Sequence, residues 1–70
     1  MNGNKWVKRV VIYTSDIQII TGKSYKPAYA LLNKIKKSFN KSAESLVTID
    51  EFCIYTGIEK EDILHLIKDL

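Results

Sequence analysis

The first side chains to test for chemistry are Thr21-Gly22-Lys23-Ser24. They match the end of a phosphate-binding loop, whose full form requires another glycine five residues before Gly22. Ile17 stands there. A chain of 70 residues also lacks room for the strands and the Mg²⁺-binding acid of a nucleotide enzyme. His65 and Cys53 are the only histidine and cysteine, so no metal-ligand set and no Cys/His pair has a defined spacing. Helical phase turns His65 away from Ile63, Leu66 and Ile67, toward solvent. Cys53 reads as a small core residue rather than a nucleophile. Trp6 reads as a satellite core residue or dimer contact, with stacking on a base or a partner as the functional alternative. The carboxylates gather where helices start and offset the helix dipole, and no acid/base pair stands out. The expectation is a non-enzyme with no metal, cofactor or small-molecule substrate.

The remaining chemistry is recognition, carried by a helix expected over residues 24–40. Ala28, Leu31, Leu32, Ile35 and Phe39 form its inward stripe, so at 100° per residue the opposite face holds Lys26, Ala30, Asn33, Lys37 and Lys41. Tyr29 and Lys34 flank that face. An asparagine can make two hydrogen bonds to adenine, lysines can reach guanine acceptors or phosphates, and a small alanine lets the backbone come close to base edges. Ser24 and the free N–H groups at the helix start can hold a phosphate.

These residues are positioned by a pattern that repeats after 35 residues. Asp16-Ile17-Gln18-Ile19-Ile20-Thr21-Gly22 aligns with Glu51-Phe52-Cys53-Ile54-Tyr55-Thr56-Gly57, and Ala28, Leu31, Leu32 and Ile35 align with Ile63, Leu66, Ile67 and Leu70. Each set of four has the spacing of one buried helical stripe. Each unit reads as a two-turn helix, a glycine turn and a longer amphipathic helix. Asp16 or Ser15 can cap the first short helix, and Thr48 or Asp50 its counterpart. Gly22 and Gly57 suit the left-handed conformation that ends a helix. Ser24 suits the cap of the second helix, and Pro27 falls within its first turn, where a missing N–H matters little. Residues 41–45 form the linker. The β-rich runs 7–13 and 46–49 precede the units and are expected to pair as a short two-stranded ribbon. The second unit's last helix should be shorter than its equivalent.

Charge divides along the same line. Residues 1–41 hold nine basic side chains and one acid, Asp16, for a net +8; residues 42–70 hold two lysines and seven acids, for a net −5. The basic half fits a polyanion and the acidic half another task. The equivalent outward stripe of unit two holds Glu61, His65 and Lys68, and a helix start of Glu59, Lys60, Glu61 and Asp62 repels phosphate. Hydrophobic residues at 46% and charged ones at 27% are ordinary for a globular domain. So short a chain buries a marginal core, which favours a dimer or partner. A lone cysteine suits a reducing cytoplasm. The polar start carries no signal peptide, and no apolar run could span a bilayer.

Residues Val47-Thr48-Ile49-Asp50-Glu51-Phe52-Cys53-Ile54-Tyr55-Thr56-Gly57-Ile58 resemble the opening helix-turn of excisionase-type helix-turn-helix domains. Tyr13-Thr14-Ser15-Asp16 through Thr21-Gly22-Lys23-Ser24 is similar to the same pattern, shortened by one residue between Thr and Gly. The likeness to small bacterial helix-turn-helix DNA-binding proteins covers about residues 11–70. It implies that the helix after the glycine turn reads DNA, here residues 24–40, in a transcriptional regulator or mobile-element accessory protein. The acidic helix of unit two departs from that pattern.

These readings define a single, mainly α domain of two tandem helix-turn-helix units, 11–41 basic and 46–70 acidic, with residues 1–10 as an arm or strand. Its partner would be double-stranded DNA. Lys23, Ser24, Tyr25, Lys26, Tyr29, Ala30, Asn33, Lys34, Lys37 and Lys41 would make the contacts, as a homodimer or with a protein partner. The rival reading is a protein-interaction module or inhibitor that docks through the acidic unit.

Overall fold

A computed structural model describes residues 10–67. In chain order the elements are β1 (Val11–Ile12), α1 (Thr14–Thr21), α2 (Tyr25–Ser38), β2 (Val47–Thr48), α3 (Ile49–Thr56) and α4 (Lys60–Leu66). The architecture is mainly helical with one small antiparallel sheet, in which Val11 pairs with Thr48 and Ile12 with Val47. The Ile49 N–H donates to Val10 O at 2.8 Å and extends this pairing at its edge. Residues 7–9 of the expected ribbon lie outside the described residues, as do Trp6, Val7, Lys68 and Leu70. No described helix is long and apolar enough to cross a membrane.

One cluster of buried side chains holds the elements together: Ile12 and Val47 from the sheet, Ile17 from α1, Ala28, Leu32 and Ile35 from α2, Ile49 and Phe52 from α3, with Ile63 and Ile67 at the C-terminal end. Leu31 and Phe39 pack against it, so α2 buries the expected stripe. Leu66 departs from the expectation and stands 49% exposed. α4 ends at Leu66, and Ile67 already has the extended angles φ −104 and ψ 105. Burial at this end is carried by Ile63 within α4 and by Ile67 just past it.

The short helices α1 and α3 share their end chemistry at a spacing of 35 residues. Gly22 (φ 77) and Gly57 (φ 80) both take the left-handed conformation that costs other residues a Cβ clash. The Thr21 and Thr56 hydroxyls donate to Ile17 O and Phe52 O, at 2.6 and 2.8 Å. Each then accepts from the second N–H beyond it, that of Lys23 or Ile58.

The N-termini correct one expectation and decide between the two residues offered for the other. α1 has Tyr13 as its N-cap, not Ser15 or Asp16. Asp16 sits in the first turn, only 5% exposed, and its carboxylate accepts from the Tyr13 N–H at 2.8 Å. α3 has Thr48 rather than Asp50 as N-cap. The Thr48 hydroxyl accepts from Glu51 N–H at 3.0 Å, and the Glu51 carboxylate accepts from Thr48 N–H at 2.9 Å, a reciprocal capping box. Tyr13 thus occupies the place of Thr48, and cap and glycine are equally far apart in both helices. The threonine-to-glycine spacing is one residue shorter in the first case because Thr14 follows the cap, whereas Thr48 is the cap.

α2 ends two residues before the expected Asn40. Asn40 adopts φ 59. The Asn40 N–H donates to Lys37 O and the Lys41 N–H to Lys36 O, at 3.1 and 2.8 Å. This is the paired closure of a left-handed helix terminus, with asparagine in the usual glycine position.

The Glu51 carboxyl is held below its ordinary value of 4.5, first by the Thr48 N–H and also by Lys41, against the opposing effect of burial. A carboxyl lowered by folding contributes stability that is complete above the unfolded value and is lost as pH falls through the folded one. Glu51→Gln should therefore lower the urea midpoint at pH 7, and the gap to the parent chain should narrow at about pH 3. An unchanged gap would show that the Glu51 charge adds nothing to the cap.

Candidate nucleic-acid interface

The outward face of α2 is positioned by its inward one. With Ala28 and Ile35 fully buried and Leu32 nearly so, helical geometry forces Lys26, Tyr29, Ala30, Lys34 and Lys37 outward, and all five are exposed. Asn33 is half-buried at the margin of this face. Lys23, Ser24 and Tyr25 are exposed at its N-terminal end.

Ser24 holds the N-cap position with extended angles, φ −76 and ψ 177, but its hydroxyl makes no capping bond. The Tyr25 and Lys26 N–H groups of the first turn thus receive no cap from Ser24, and Pro27 has no N–H to offer, so two backbone donors face a prospective anion. Tyr25 and Tyr29, one turn apart, stack with ring centroids 5.9 Å apart and planes 12° from parallel. The pair is 57% and 48% exposed and projects beside Lys26.

Lys41 differs from the rest in being held by the fold. Its ammonium donates to Leu46 O at 2.9 Å and pairs with the Glu51 carboxylate at 3.1 Å. The helical wheel that put it on the outward face fails here, because the chain leaves the helix at Phe39 and turns left-handed at Asn40. Lys36, absent from the sequence-based set, joins the site instead. Its ammonium donates to Ala43 O at 2.8 Å. Together with Tyr29, Asn33, Lys37, Lys41 and Ala43 it lines an open groove of about 380 Å³ between the C-terminal half of α2 and the following turn. Only the path of residues 39–43 reveals this groove, so no periodicity could have found it.

The second half presents different chemistry. α4 begins after Glu59 with Lys60, Glu61 and Asp62, and Lys60 pairs at 3.0 Å with the exposed Asp50. His65 is exposed, as its helical phase predicted. Cys53 is half-buried against the core, and burial, reinforced by the Asp50 charge, pushes its thiol above the ordinary range. Such a thiol is a poor nucleophile at neutral pH. Among the described residues, no three His, Cys, Asp or Glu side chains are grouped so as to hold a metal ion. Comparison with protein-family models, with curated proteins and with solved structures found no match to this chain.

Proposed function

We propose that the chain is a small, non-catalytic duplex-DNA-binding protein made of two tandem helix-turn-helix units, in which α2 enters the major groove. The observation that carries this reading is the exposed Lys26/Tyr29/Ala30/Lys34/Lys37 face of a helix anchored by its opposite side. The short α4, at the equivalent place, starts among acids and would repel phosphate. The first half of a reading helix normally meets base edges, and its later part passes the sugar-phosphate backbone. Lys26, Tyr29, Ala30 and Asn33 then serve sequence choice. Lys23, Lys34 and Lys37 serve affinity, while the Lys41 ammonium is also held by Glu51. The biological role that suits such a protein is transcriptional regulation or assistance to a mobile element.

Duplexes selected from a random pool, followed by mobility shifts, test this assignment. Asn33→Ala should cost about 1–3 kcal/mol on the preferred site and little on random DNA. Lys37→Ala should weaken both equally and flatten the salt slope by about one unit. Glu61→Ala, on the equivalent stripe of the second unit, should leave binding unchanged or slightly improved. Loss of binding in Glu61→Ala with none in Asn33→Ala would move the reader to the second unit.

A second reading, docking to a protein or to another copy of the chain, is favoured by the exposure of Ile54 (72%), Leu66 (49%) and Leu64 (37%) in the acidic half. If the intact chain bound no duplex at low salt, this reading would replace the first.

A further inference from the structure

The groove at the C-terminal end of α2 has two of its lysines in defined contacts with the fold. A surface lysine samples many rotamers, and fixing its ammonium costs side-chain entropy. Two of the three ammoniums here are already fixed: Lys36 on Ala43 O at 2.8 Å, and Lys41 on Leu46 O and Glu51. The backbone between them is tied by the Asn40 turn and the 2.8 Å bond from Lys41 N–H to Lys36 O. An ammonium carries three donors, so Lys36 and Lys41 each retain donor capacity beyond these bonds, and Lys37 is exposed on the same wall. Cations held in place before a ligand arrives bind it with less ordering cost.

We propose that this groove is a preformed seat for one phosphate oxyanion, framed by Lys36, Lys37 and Lys41. It rests on the duplex reading only for the source of the phosphate, a backbone phosphodiester near the end of the reading helix. Glu51 is the acid that competes for Lys41. A phosphate in the groove shares that ammonium, and the Thr48–Glu51 capping box senses its arrival.

The test is a titration of the ¹⁵N-labelled full chain with inorganic phosphate, with ionic strength held constant by chloride. Amide shifts should saturate together at Lys36, Lys37, Lys41 and Ala43, and through Glu51 at Thr48. Lys36→Gln should abolish the response while the chain still melts cooperatively; Lys37→Gln replaces it if that variant does not fold. Equal shifts at Lys23 and Lys26, or a linear response without saturation, would overturn the seat. On duplex DNA, Lys36→Gln should lower the salt slope by about one unit. A saturable, localised phosphate response without any duplex binding would refute the duplex reading and keep the seat. Duplex binding with an unlocalised phosphate response would do the reverse.

Discussion

Duplex binding by the full chain should weaken about 40-fold when salt rises from about 50 to about 200 mM, because each neutralised phosphate adds about 0.9 to the slope of log affinity against log salt. Lys23 and Lys34 are exposed on α2 and the turn before it, and each can meet one phosphate. The groove of Lys36, Lys37 and Lys41 takes a third. Three contacts give a slope of roughly −2.7, and a fourfold rise in salt then yields the stated loss. The acids of the second half do not cancel this effect, because counterion release depends on the lysines that meet phosphate and not on net charge. Mobility shifts or fluorescence anisotropy at four or five salt concentrations measure the slope. A flat affinity across that range would remove the electrostatic premise, and a slope near −1 would mean that most of the α2 lysines never touch the backbone.

Phe52→Ala should remove a large share of the stability of the chain. Phe52 is the largest of the fully buried side chains, at 0% exposure. It joins α3 to a core that also contains Ile12, Ile35 and Ile63. Truncating a buried phenylalanine costs about 3–5 kcal/mol, against a total stability of about 4–10 kcal/mol for a domain of this size. The deletion therefore consumes a large share of the margin, and a single cysteine gives no internal disulfide to make up the difference. Ile54→Ala, on the same helix but at a site 72% exposed, should change stability by less than about 0.5 kcal/mol. Urea unfolding followed by far-ultraviolet circular dichroism separates the two. Similar midpoints for both variants would show that α3 is not anchored through Phe52.

Several features of the fold were legible because the physics behind them is local. The glycines at 22 and 57 follow a Thr in the last helical turn, and only glycine takes a left-handed angle without a Cβ clash. The stripe of Ala28, Leu31, Leu32, Ile35 and Phe39 could be read from helical period alone, as could the exposure of His65. The two β-rich runs implied a ribbon, and β1 pairs with β2 inside them. The cap of α1 was misread because side-chain preference points to Ser15 or Asp16. The frame is set instead by Asp16 in the first turn, whose carboxylate reaches back to Tyr13 N–H. A tyrosine can hold that position because the returning bond comes from the acid and not from the cap residue.

The mainly helical character, the two glycine turns, the inward face of α2 and the separation of basic from acidic halves could all be read along the chain. Each depends on residue type or on a period of a few residues, so each is present in the chain before it folds. Tertiary structure alone decided the fates of Lys36, Lys41 and Leu66. Asn40 turns left-handed and the helical phase ends there. That turn swings Lys41 onto Glu51 and brings Ala43 against Lys36, two contacts that no helical wheel contains. Leu66 has a spacing suited to burial, but it is the last residue of α4, at the edge of the core, and stands exposed. Burial at that edge depends on which segment arrives to cover it, a property of the whole arrangement and not of any local pattern.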